Sequence, residues 1–410
     1  FGCGHDAYLS DEIIRLMGEI SGKTPLVLKL DESDVQGPLR IRVRSFVETL
    51  AMRREREKSR PVQELEDPYP VKFSRRDKKK RLVLIPNVSH AFCRVMSAAM
   101  GKDGLRTVPL EVGREEAIRL GKQYVHNDIC YPALLTIGQM ISALKSGKYD
   151  LDHVAVAMAK YVGDCRLTHY SALLRKALEK AGLSFIPVIS VNLSGLEKNP
   201  GFKLTLPFIR KAVYAMMYGD IIVNVANQVR PYEVNQGETD SMIEAWTHKL
   251  VDGFEAGKGM SRGQMRRLFA QICDDFAAIP VQGEPKVRVG VVGEIYVKFA
   301  PLGNNNLEKF LLSEGVEPVV PGLTDFIIFK IYNRVADVDL YGGKWIKKAA
   351  CKIFMGYVEN CQKDMIQALE NSGRFRAPGT FQELHSLVHG YLGDGNKMGE
   401  GWLLTAEMLE

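Results

Sequence analysis

The sequence lacks several features that define whole classes of protein. None of its seven cysteines forms a CxxC pair, which excludes zinc ribbons and thioredoxin-type redox chemistry. No apolar run is long enough to cross a membrane, because arginine, lysine or aspartate interrupts every long helical pattern. No signal peptide is visible, and the odd number of cysteines is spread along 410 residues. We therefore expect reduced thiols, a cytoplasmic location and no membrane partner.

An excess of charge of one sign is also lacking. The chain has 55 basic and 49 acidic residues, so its formal charge of +6 is far from that of a protein that coats nucleic acid. The most basic run, 71–81, contains Phe73 as its only aromatic residue and no RNA-binding motif. This pattern favours a solvated face and predicts no nucleic-acid partner.

Two glycine-bearing segments fall short of nucleotide-binding motifs. In "GEISGKT" (18–24), three residues separate Gly18 from Gly22, whereas a P-loop requires four. A predicted helix, 11–20, also precedes this segment and a predicted strand, 25–32, follows it, which is the reverse of the P-loop order. "GVVGEI" (290–295) lacks the third glycine of a dinucleotide-binding turn, and we interpret it as a tight turn after a strand. We predict no nucleotide at 18–24.

The central part of the sequence alternates between buried strands and helices. The predicted strands are continuously apolar, which is typical of a parallel sheet covered on both faces. They are 81–86, 105–110, 153–159 and 185–191, and they alternate with predicted helices at 90–100, 133–145 and 168–181. The pattern predicts an α/β fold with a doubly wound, Rossmann-like parallel sheet.

The remaining pattern predicts five parts along the chain. They are the end of a preceding module (1–58, with a basic helix at 38–57), a charged linker (59–80), an α/β domain (81–235), a helical segment (236–284) and a second, helix-rich α/β domain (285–410). Helices are predicted at 204–230, 238–256, 260–279 and through most of 323–371. The second α/β domain is predicted from a strand–turn–helix pattern at 285–295 and a strand at 316–321.

Cys130 lies in "HNDICYP" (126–132), where a loop becomes a helix. Pro132 has a fixed φ that suits the first turn of a helix, and the residues 133–145 are apolar at helical spacing. A helix start carries a partial positive charge, which favours thiolate over thiol. Cys130 is therefore a candidate nucleophile or sulfur ligand, with a buried thiol as the plain alternative.

Two further cysteines precede predicted helices. Cys165 follows the strand 153–159 and comes before a helix that Thr168 is placed to cap, so it lies at the carboxyl end of a parallel strand, where open α/β sheets bind ligands. Cys3, in "FGCGHDA", is flanked by glycines that allow a bulky group to approach, and Ser10 is placed to cap the next helix.

Several kinds of chemistry remain open for these thiols. A cysteine–histidine nucleophile with His126 or His169 is one alternative, although spacing along the chain does not place the groups in contact. Thiolates without histidine at metal-ligand spacing favour iron–sulfur chemistry over zinc. The other four cysteines lie inside helical patterns and are predicted to be core residues: Cys93, Cys273, Cys351 and Cys361.

Four segments of the sequence together resemble one protein family. They are "YVHNDICYPALLTIGQMISALKSGKYDLD", "GDCRLTHYSALLRKALEKAGL", "VISVNLSGLEKNPGFKLTLP" and "VGVVGEIYVKFAPLGNNN". The chain resembles, over essentially its whole length, the acyl-CoA dehydratase activase-related family, the C-terminal part of long CoA-substrate-specific enzyme activases. That family is similar to the subunits of 2-hydroxyacyl-CoA dehydratases and benzoyl-CoA reductases. The resemblance implies their fold: Rossmann-like domains with a helical insertion.

The resemblance also implies a cofactor and its ligands. In those dehydratases three cysteines of each subunit hold a 4Fe-4S cluster with one iron not bound by cysteine. Cys130 and Cys165 match the first two ligands, and Cys3 matches a segment that in long relatives closes a preceding module. The relatives continue past Glu410 into a further Phe-Gly-Cys segment that would supply the third ligand. We therefore expect 1–410 to be an interior piece of a longer chain.

The function implied is that of an iron–sulfur, dehydratase- or reductase-like component of a larger enzyme in anaerobic metabolism. Such a component, an oxidoreductase or lyase, takes part in electron transfer at low potential. The implied partners are an activase ATPase domain or subunit, an acyl-CoA or another small-molecule substrate, and a second copy of the chain. The alternatives are a non-catalytic scaffold that docks an activase without a cluster and a thiol enzyme that uses Cys130. A shared cluster requires the sulfurs of Cys130 and Cys165 to lie within about 10 Å at one end of the sheet.

Overall fold

The computed structural model describes residues 17–18, 26, 28, 36–56, 70–126, 129–160, 165–191 and 199–410. The chain divides into two units, Phe1–Pro70 and Val71–Glu410. In the first unit, helix α1 (Gln36–Arg56) agrees with the helix predicted at 38–57. Cys3, nearly all of the segment 18–24 and most of the elements predicted at 11–20 and 25–32 lie outside the described residues.

A four-stranded parallel sheet organises the first half of the second unit. Its strands are β1 (Leu82–Ile85), β2 (Thr107–Pro109), β3 (Val154–Ala159) and β4 (Val188–Val191), in the order β2-β1-β3-β4. Val83 and Leu84 are both fully buried, and so are Ala155 and Val156. Because neighbouring residues of a strand point to opposite faces, both faces of the sheet are covered. The α/β architecture with a parallel sheet is therefore confirmed, whereas the Rossmann-like assignment stays a prediction.

The helices of this half connect the strands in sequence. Helix α2 (Asp77–Lys80) precedes β1, α3 (His90–Lys102) joins β1 to β2, α4 (Arg114–Tyr124) and α5 (Tyr131–Lys145) join β2 to β3, and α6 (Tyr170–Lys180) joins β3 to β4. The chain runs outward from β1 to β2 and then returns to β3 on the other side of β1. The direction of the chain thus reverses between β1 and β3, and the carboxyl ends of the strands at such a point are the usual ligand position in open α/β sheets.

Close contact between α4 and α5 holds the start of α5 in place. Gly138 lies so near α4 that a Cβ built on it would be 1.9 Å from the carbonyl oxygen of Ala117. On the other helix, a Cβ built on Gly121 would be 2.3 Å from the carbonyl oxygen of Leu134. Only glycine at both positions allows this separation, which fixes α5 and the loop before it on the sheet.

Part of the predicted charged linker, 59–80, belongs to the packed unit. Phe73 is fully buried and packs with Val83 and Ile189 beneath the sheet. Residues 57–69 lie outside the described residues, but 71–80 pack on the sheet while their basic side chains stay at the surface. One aromatic side chain in a basic run is enough to anchor it, because its burial removes a large apolar area from water.

Three long helices follow the sheet, as the periodicity predicts. They are α7 (Leu206–Val229), α8 (Glu238–Glu255) and α9 (Arg262–Ala277). Thr205 caps α7 by accepting a hydrogen bond from the backbone N–H of Phe208, and Met217 and Ile221 on α7 are fully buried. The same hydrophobic core includes residues of α3 and of the C-terminal helices. The three parts predicted at 81–235, 236–284 and 285–410 therefore share one core.

The C-terminal part contains a second, smaller parallel pair of strands, as predicted from residue 285 onward. The strands are β5 (Arg288–Gly290) and β6 (Glu317–Val319), which pair in parallel. Three short helices lie between them in sequence: α10 (Ile295–Phe299), α11 (Pro301–Asn304) and α12 (Leu307–Ser313). Four further helices complete it: α13 (Leu323–Tyr341), α14 (Trp345–Asn371), α15 (Phe381–Leu387) and α16 (Trp402–Leu409). "GVVGEI" is the turn between β5 and α10. Across the described ranges, no helix has the length and apolarity needed to span a membrane.

Candidate functional site

Cys130 occupies the position before the first residue of α5, as the sequence predicts. Pro132 lies in the first turn of that helix, and the backbone of Cys130 is extended. Its sulfur Sγ lies 2.5 Å from the hydroxyl oxygen of Tyr170, the first residue of α6. A helix start on α5 and a helix start on α6 therefore meet at this sulfur.

Cys165 lies after β3 and opens a short 3₁₀ turn, Arg166–Thr168. The prediction that Thr168 caps the following helix is wrong. Its hydroxyl donates to the carbonyl oxygen of Cys165 at 2.8 Å, and α6 begins only at Tyr170, after His169. The 3₁₀ turn places the hydroxyl of Thr168 next to the carbonyl oxygen of Cys165. The hydroxyl therefore closes the 3₁₀ turn and does not cap α6, whose N-cap residue is His169.

The structure brings Cys130 and Cys165 to the same end of the sheet. A negative charge on Cys165 is close enough to raise the pKa of Cys130, and charges on both cysteines raise the pKa of Tyr170. The charges on the two cysteines thus act on each other, although 35 residues separate them in sequence. The shared cluster, with both sulfurs within about 10 Å of each other, stays a prediction.

The electrostatic surroundings of Cys130 differ from the expectation. Burial raises the pKa of its thiol, and this outweighs the hydrogen bonds from Tyr170 and from the backbone N–H of Ala133, which lower it. The sequence predicts a helix start that favours thiolate, but desolvation of the charged form is the larger effect here. A protonated thiol is a weak nucleophile at neutral pH, whereas a bound metal displaces the proton.

Charged side chains of the C-terminal part reach the same site. Glu294, which caps α10 by accepting from the N–H of Val297 at 3.0 Å, acts electrostatically on Cys130 and Tyr170. Burial raises the pKa of Glu294 and lowers that of Lys330 on α13, and Lys330 is in turn affected by charge on Cys165. The strand–turn–helix pattern of 285–295 locates Glu294 at a strand end, but the sequence gives no signal for Lys330.

Glu400 links these charged groups to one another. Its carboxylate accepts a hydrogen bond from the backbone N–H of Ile295 at 2.8 Å. Its charge partly opposes the lowering of the Lys330 pKa by burial and adds to the increase in the Glu294 pKa. The candidate site therefore combines two thiols and a phenol from the first sheet with two carboxylates and an ammonium group from the C-terminal part.

Comparisons with protein families, with curated proteins and with solved structures found no match. The chemistry of the site must therefore be argued from its own residues. Within the described ranges, no three His, Cys, Asp or Glu side chains are arranged to hold a metal ion. Cys130 and Cys165 supply two soft sulfur ligands, and Cys3 is outside those ranges. Two thiols beside a phenol and a backbone N–H donor fit an iron–sulfur group better than a hard cation such as Mg²⁺.

The other described cysteines are not among the groups that act on Cys130 or Tyr170. Cys93, Cys273 and Cys361 are buried core residues, as predicted, and burial raises the pKa of each. The prediction that Cys351 is a core residue is wrong, because its side chain is only partly buried. It lies in the second turn of α14, and Trp345 and Ile346 in the first turn are exposed.

Proposed function

We propose that this chain is an iron–sulfur module, similar to 2-hydroxyacyl-CoA dehydratase and benzoyl-CoA reductase subunits, that accepts low-potential electrons from an activase ATPase. The meeting of Cys130 and Cys165 at the carboxyl ends of a parallel sheet carries the proposal. The resemblance of four long segments to the activase-related family supports it independently. A Rossmann-like assignment of the parallel sheet belongs to the same proposal.

The residues of the site have distinct parts in this proposal. Cys130 and Cys165 would hold two irons of a 4Fe-4S cluster, and a cysteine beyond the described residues would hold a third. When bound, such a cluster supplies one-electron chemistry and an open iron for a substrate oxygen. Tyr170 and the N–H of Ala133 donate hydrogen bonds to the sulfur of Cys130 and so stabilise its thiolate form.

The buried charges of the C-terminal part face the same site. Glu294 and Glu400 present carboxylates, and Lys330 presents an ammonium group whose charge is disfavoured by burial. Side chains of this kind orient a polar substrate and exchange protons with it, since burial raises the pKa of Glu294 and lowers that of Lys330. In this proposal they bind the reacting end of an acyl-CoA or a similar small molecule.

Anaerobic reconstitution tests the proposal directly. The chain is incubated with ferrous iron and sulfide, desalted, and analysed for iron, for sulfide and for broad absorption near ~400 nm, typical of cysteine-bound clusters. We expect a brown protein, and we expect Cys130→Ser and Cys165→Ser each to lose most of the iron. Cys351→Ser, which removes a partly buried thiol far from the site in sequence, should retain it and serves as the control.

Two outcomes would overturn the proposal. A folded wild-type chain that takes up neither iron nor sulfide would favour the scaffold that docks an activase without a cluster. Iron uptake that is unchanged in Cys130→Ser and Cys165→Ser would show that other residues bind it. Circular dichroism of each variant separates loss of the ligand from loss of the fold.

Tyr170→Phe tests the hydrogen bond to the sulfur without removing a ligand. We expect the iron content to stay at the wild-type level while the reduction potential becomes more negative. A hydrogen bond worth about 0.5–1.5 kcal/mol corresponds to roughly 20–60 mV for a one-electron couple. A potential equal to that of the wild type would show that the hydroxyl does not act on the cluster.

A further inference from the structure

A cavity of about 300 Å³ lies beyond the carboxyl ends of β5 and β6. The loops after the two strands, together with α7, α14 and α16, enclose it, and none of the residues of the thiol site lines it. Strand ends of parallel sheets are the usual position of ligand sites, and the volume is at the lower end of the range for small-molecule pockets.

Two buried polar groups that line the cavity have no partner. Asn227, 4% exposed, accepts from Arg230 with Oδ1 at 3.2 Å, but its amide nitrogen Nδ2 has no hydrogen-bond partner among the described residues. Glu407, 7% exposed, binds Lys298 at 2.6 Å through Oε1, and within the same ranges its Oε2 accepts no hydrogen bond. The residues that line the cavity thus include one buried donor and one buried acceptor that have no partner among the described residues.

The cavity also contains negative charge that no side chain neutralises. Asp325, 5% exposed, accepts a hydrogen bond from Gln362 at 2.6 Å, and Asp220 accepts from the backbone N–H groups of Leu323 and Thr324. In the part of the chain that the structure describes, neither aspartate forms an ion pair. Burial raises the pKa of Asp325 to about 7 and that of Asp220 to about 6. The charge of Lys298 lowers the pKa of Asp220 in part, whereas no cation is among the groups that act on the pKa of Asp325.

The two arginines of the cavity lie at a different carboxylate. Arg288 and Arg376 both contact Glu317, and neither forms an ion pair with Asp325 or Asp220 among the described residues. Water molecules in the cavity would satisfy hydrogen bonds but would bring no positive charge. A divalent cation is disfavoured, because the described residues contain no metal-binding group of three His, Cys, Asp or Glu side chains.

We infer that this cavity binds a small organic cation, namely a primary amine that also carries a hydroxyl or carbonyl oxygen. The ammonium group donates to Oε2 of Glu407 and compensates Asp325, while the oxygen accepts from Nδ2 of Asn227. The inference is independent of the iron–sulfur proposal, since the two sites share no residue.

Calorimetric titration with matched probes tests this inference. 5-Amino-1-pentanol has the amine and the hydroxyl, 1,5-pentanediol is its neutral counterpart, 5-hydroxypentanoate is the anionic one, and pentylamine lacks the oxygen. We expect 5-amino-1-pentanol to bind at least about tenfold more tightly than the other three probes. Each of those probes lacks either the charge-assisted or the neutral hydrogen bond, and one such bond accounts for a difference of this size. Asp325→Asn should weaken its binding by about tenfold or more.

Two variants complete the design. Asn227→Leu should remove the preference for 5-amino-1-pentanol over pentylamine, because the donor for the hydroxyl is gone. Asp252→Asn removes an exposed carboxylate that does not line the cavity, and it should leave all affinities unchanged. If Asn227→Leu does not fold, the comparison of Asp325→Asn with Asp252→Asn still decides the question.

Three results would overturn the inference. The first is no heat of binding from 5-amino-1-pentanol at about 10 mM, beyond the weak limit for a specific small-molecule site. The second is equal binding of the diol or the hydroxy acid, which would show that the charge is not recognised. The third is unchanged affinity in Asp325→Asn, which would place the amine elsewhere.

Discussion

Replacing Asp325 by asparagine should stabilise the fold at pH 8 but not at pH 5. Asp325 lies in the first turn of α13 with 5% of its surface exposed. Burial raises its pKa from 3.8 to about 7, and the nearby carboxylates of Asp220 and Glu407 add to the increase. Gln362 donates a hydrogen bond to it, which an asparagine oxygen at the same position can also accept.

The sign of the effect follows from proton linkage. The folded-state pKa of Asp325 lies above the unfolded value, so the folded chain holds a proton that the unfolded chain releases between about pH 4 and pH 7. The stability associated with that proton is fully present below about pH 4 and is lost as the pH rises through 7. The wild type therefore buries an uncompensated charge at pH 8, and the asparagine variant does not.

The magnitude follows from the same pKa difference. The change from 3.8 to about 7 is roughly 3 units, and at ~1.4 kcal/mol per unit it corresponds to a cost of about 4 kcal/mol at pH 8. The asparagine introduces amide hydrogens, and leaving one unpaired costs about 1–3 kcal/mol. We expect a net stabilisation of about 1–3 kcal/mol at pH 8 and little or none at pH 5.

Urea unfolding of the wild type, Asp325→Asn and Asp252→Asn at pH 5 and pH 8 measures this effect. Carboxyls whose pKa is lowered in the folded chain, such as Asp77 and Asp364, change stability with pH in the opposite direction, but they do so equally in all three proteins. The difference between variants isolates Asp325. A gain of equal size at both pH values, or a loss at pH 8, would refute the reasoning.

Four further substitutions test the packing of the second unit. Gly138→Ala should lower the melting temperature through a loss of about 1–3 kcal/mol, because its Cβ would lie 1.9 Å from the carbonyl oxygen of Ala117. Gly356→Ala on α14, where an added Cβ has no neighbouring atom within 4 Å, should raise the free energy of unfolding by about 0.5–1 kcal/mol. Equal melting temperatures of the two variants would contradict the close contact between α4 and α5. Lys298→Met should cost about 3–5 kcal/mol by leaving Glu407 buried without its partner. Adding Glu407→Leu should recover most of that loss, and a double variant as unstable as the single one would argue against a dominant ion pair.

The strands of the first sheet could be predicted because their sequence pattern has one physical meaning. Every residue in the centre of β1 and β3 is apolar, because both faces of the sheet are covered. These apolar runs are also too short to show the 3.6-residue period of a helix. The start of α5 after Cys130 was predictable for a similar local reason, the fixed φ of Pro132. These features depend only on residues that are neighbours in sequence.

The parts of the site that sequence reasoning missed depend on distant neighbours. The effect of the helix start on Cys130 could be anticipated, but the burial that outweighs it comes from the packed sheet around it. Glu294 and Lys330 reach the thiols from more than a hundred residues away, and no local pattern encodes that approach. Thr168 shows a smaller version of the same limit, because an inserted 3₁₀ turn moves the helix start by two residues.

The position of α7 determines how molecules can reach the thiol site. This helix packs against α3 on one side and against α13 and α14 on the other, and its Asp220 binds the backbone at the start of α13. The two parallel sheets are thus held to the same helix, and separating them as rigid bodies would break that hydrogen bonding and expose the shared core. Hinge opening of the kind that two independent domains allow is therefore costly here. A molecule that reaches the partly exposed Cys130 and Cys165 must therefore do so while the two sheets keep their positions on α7.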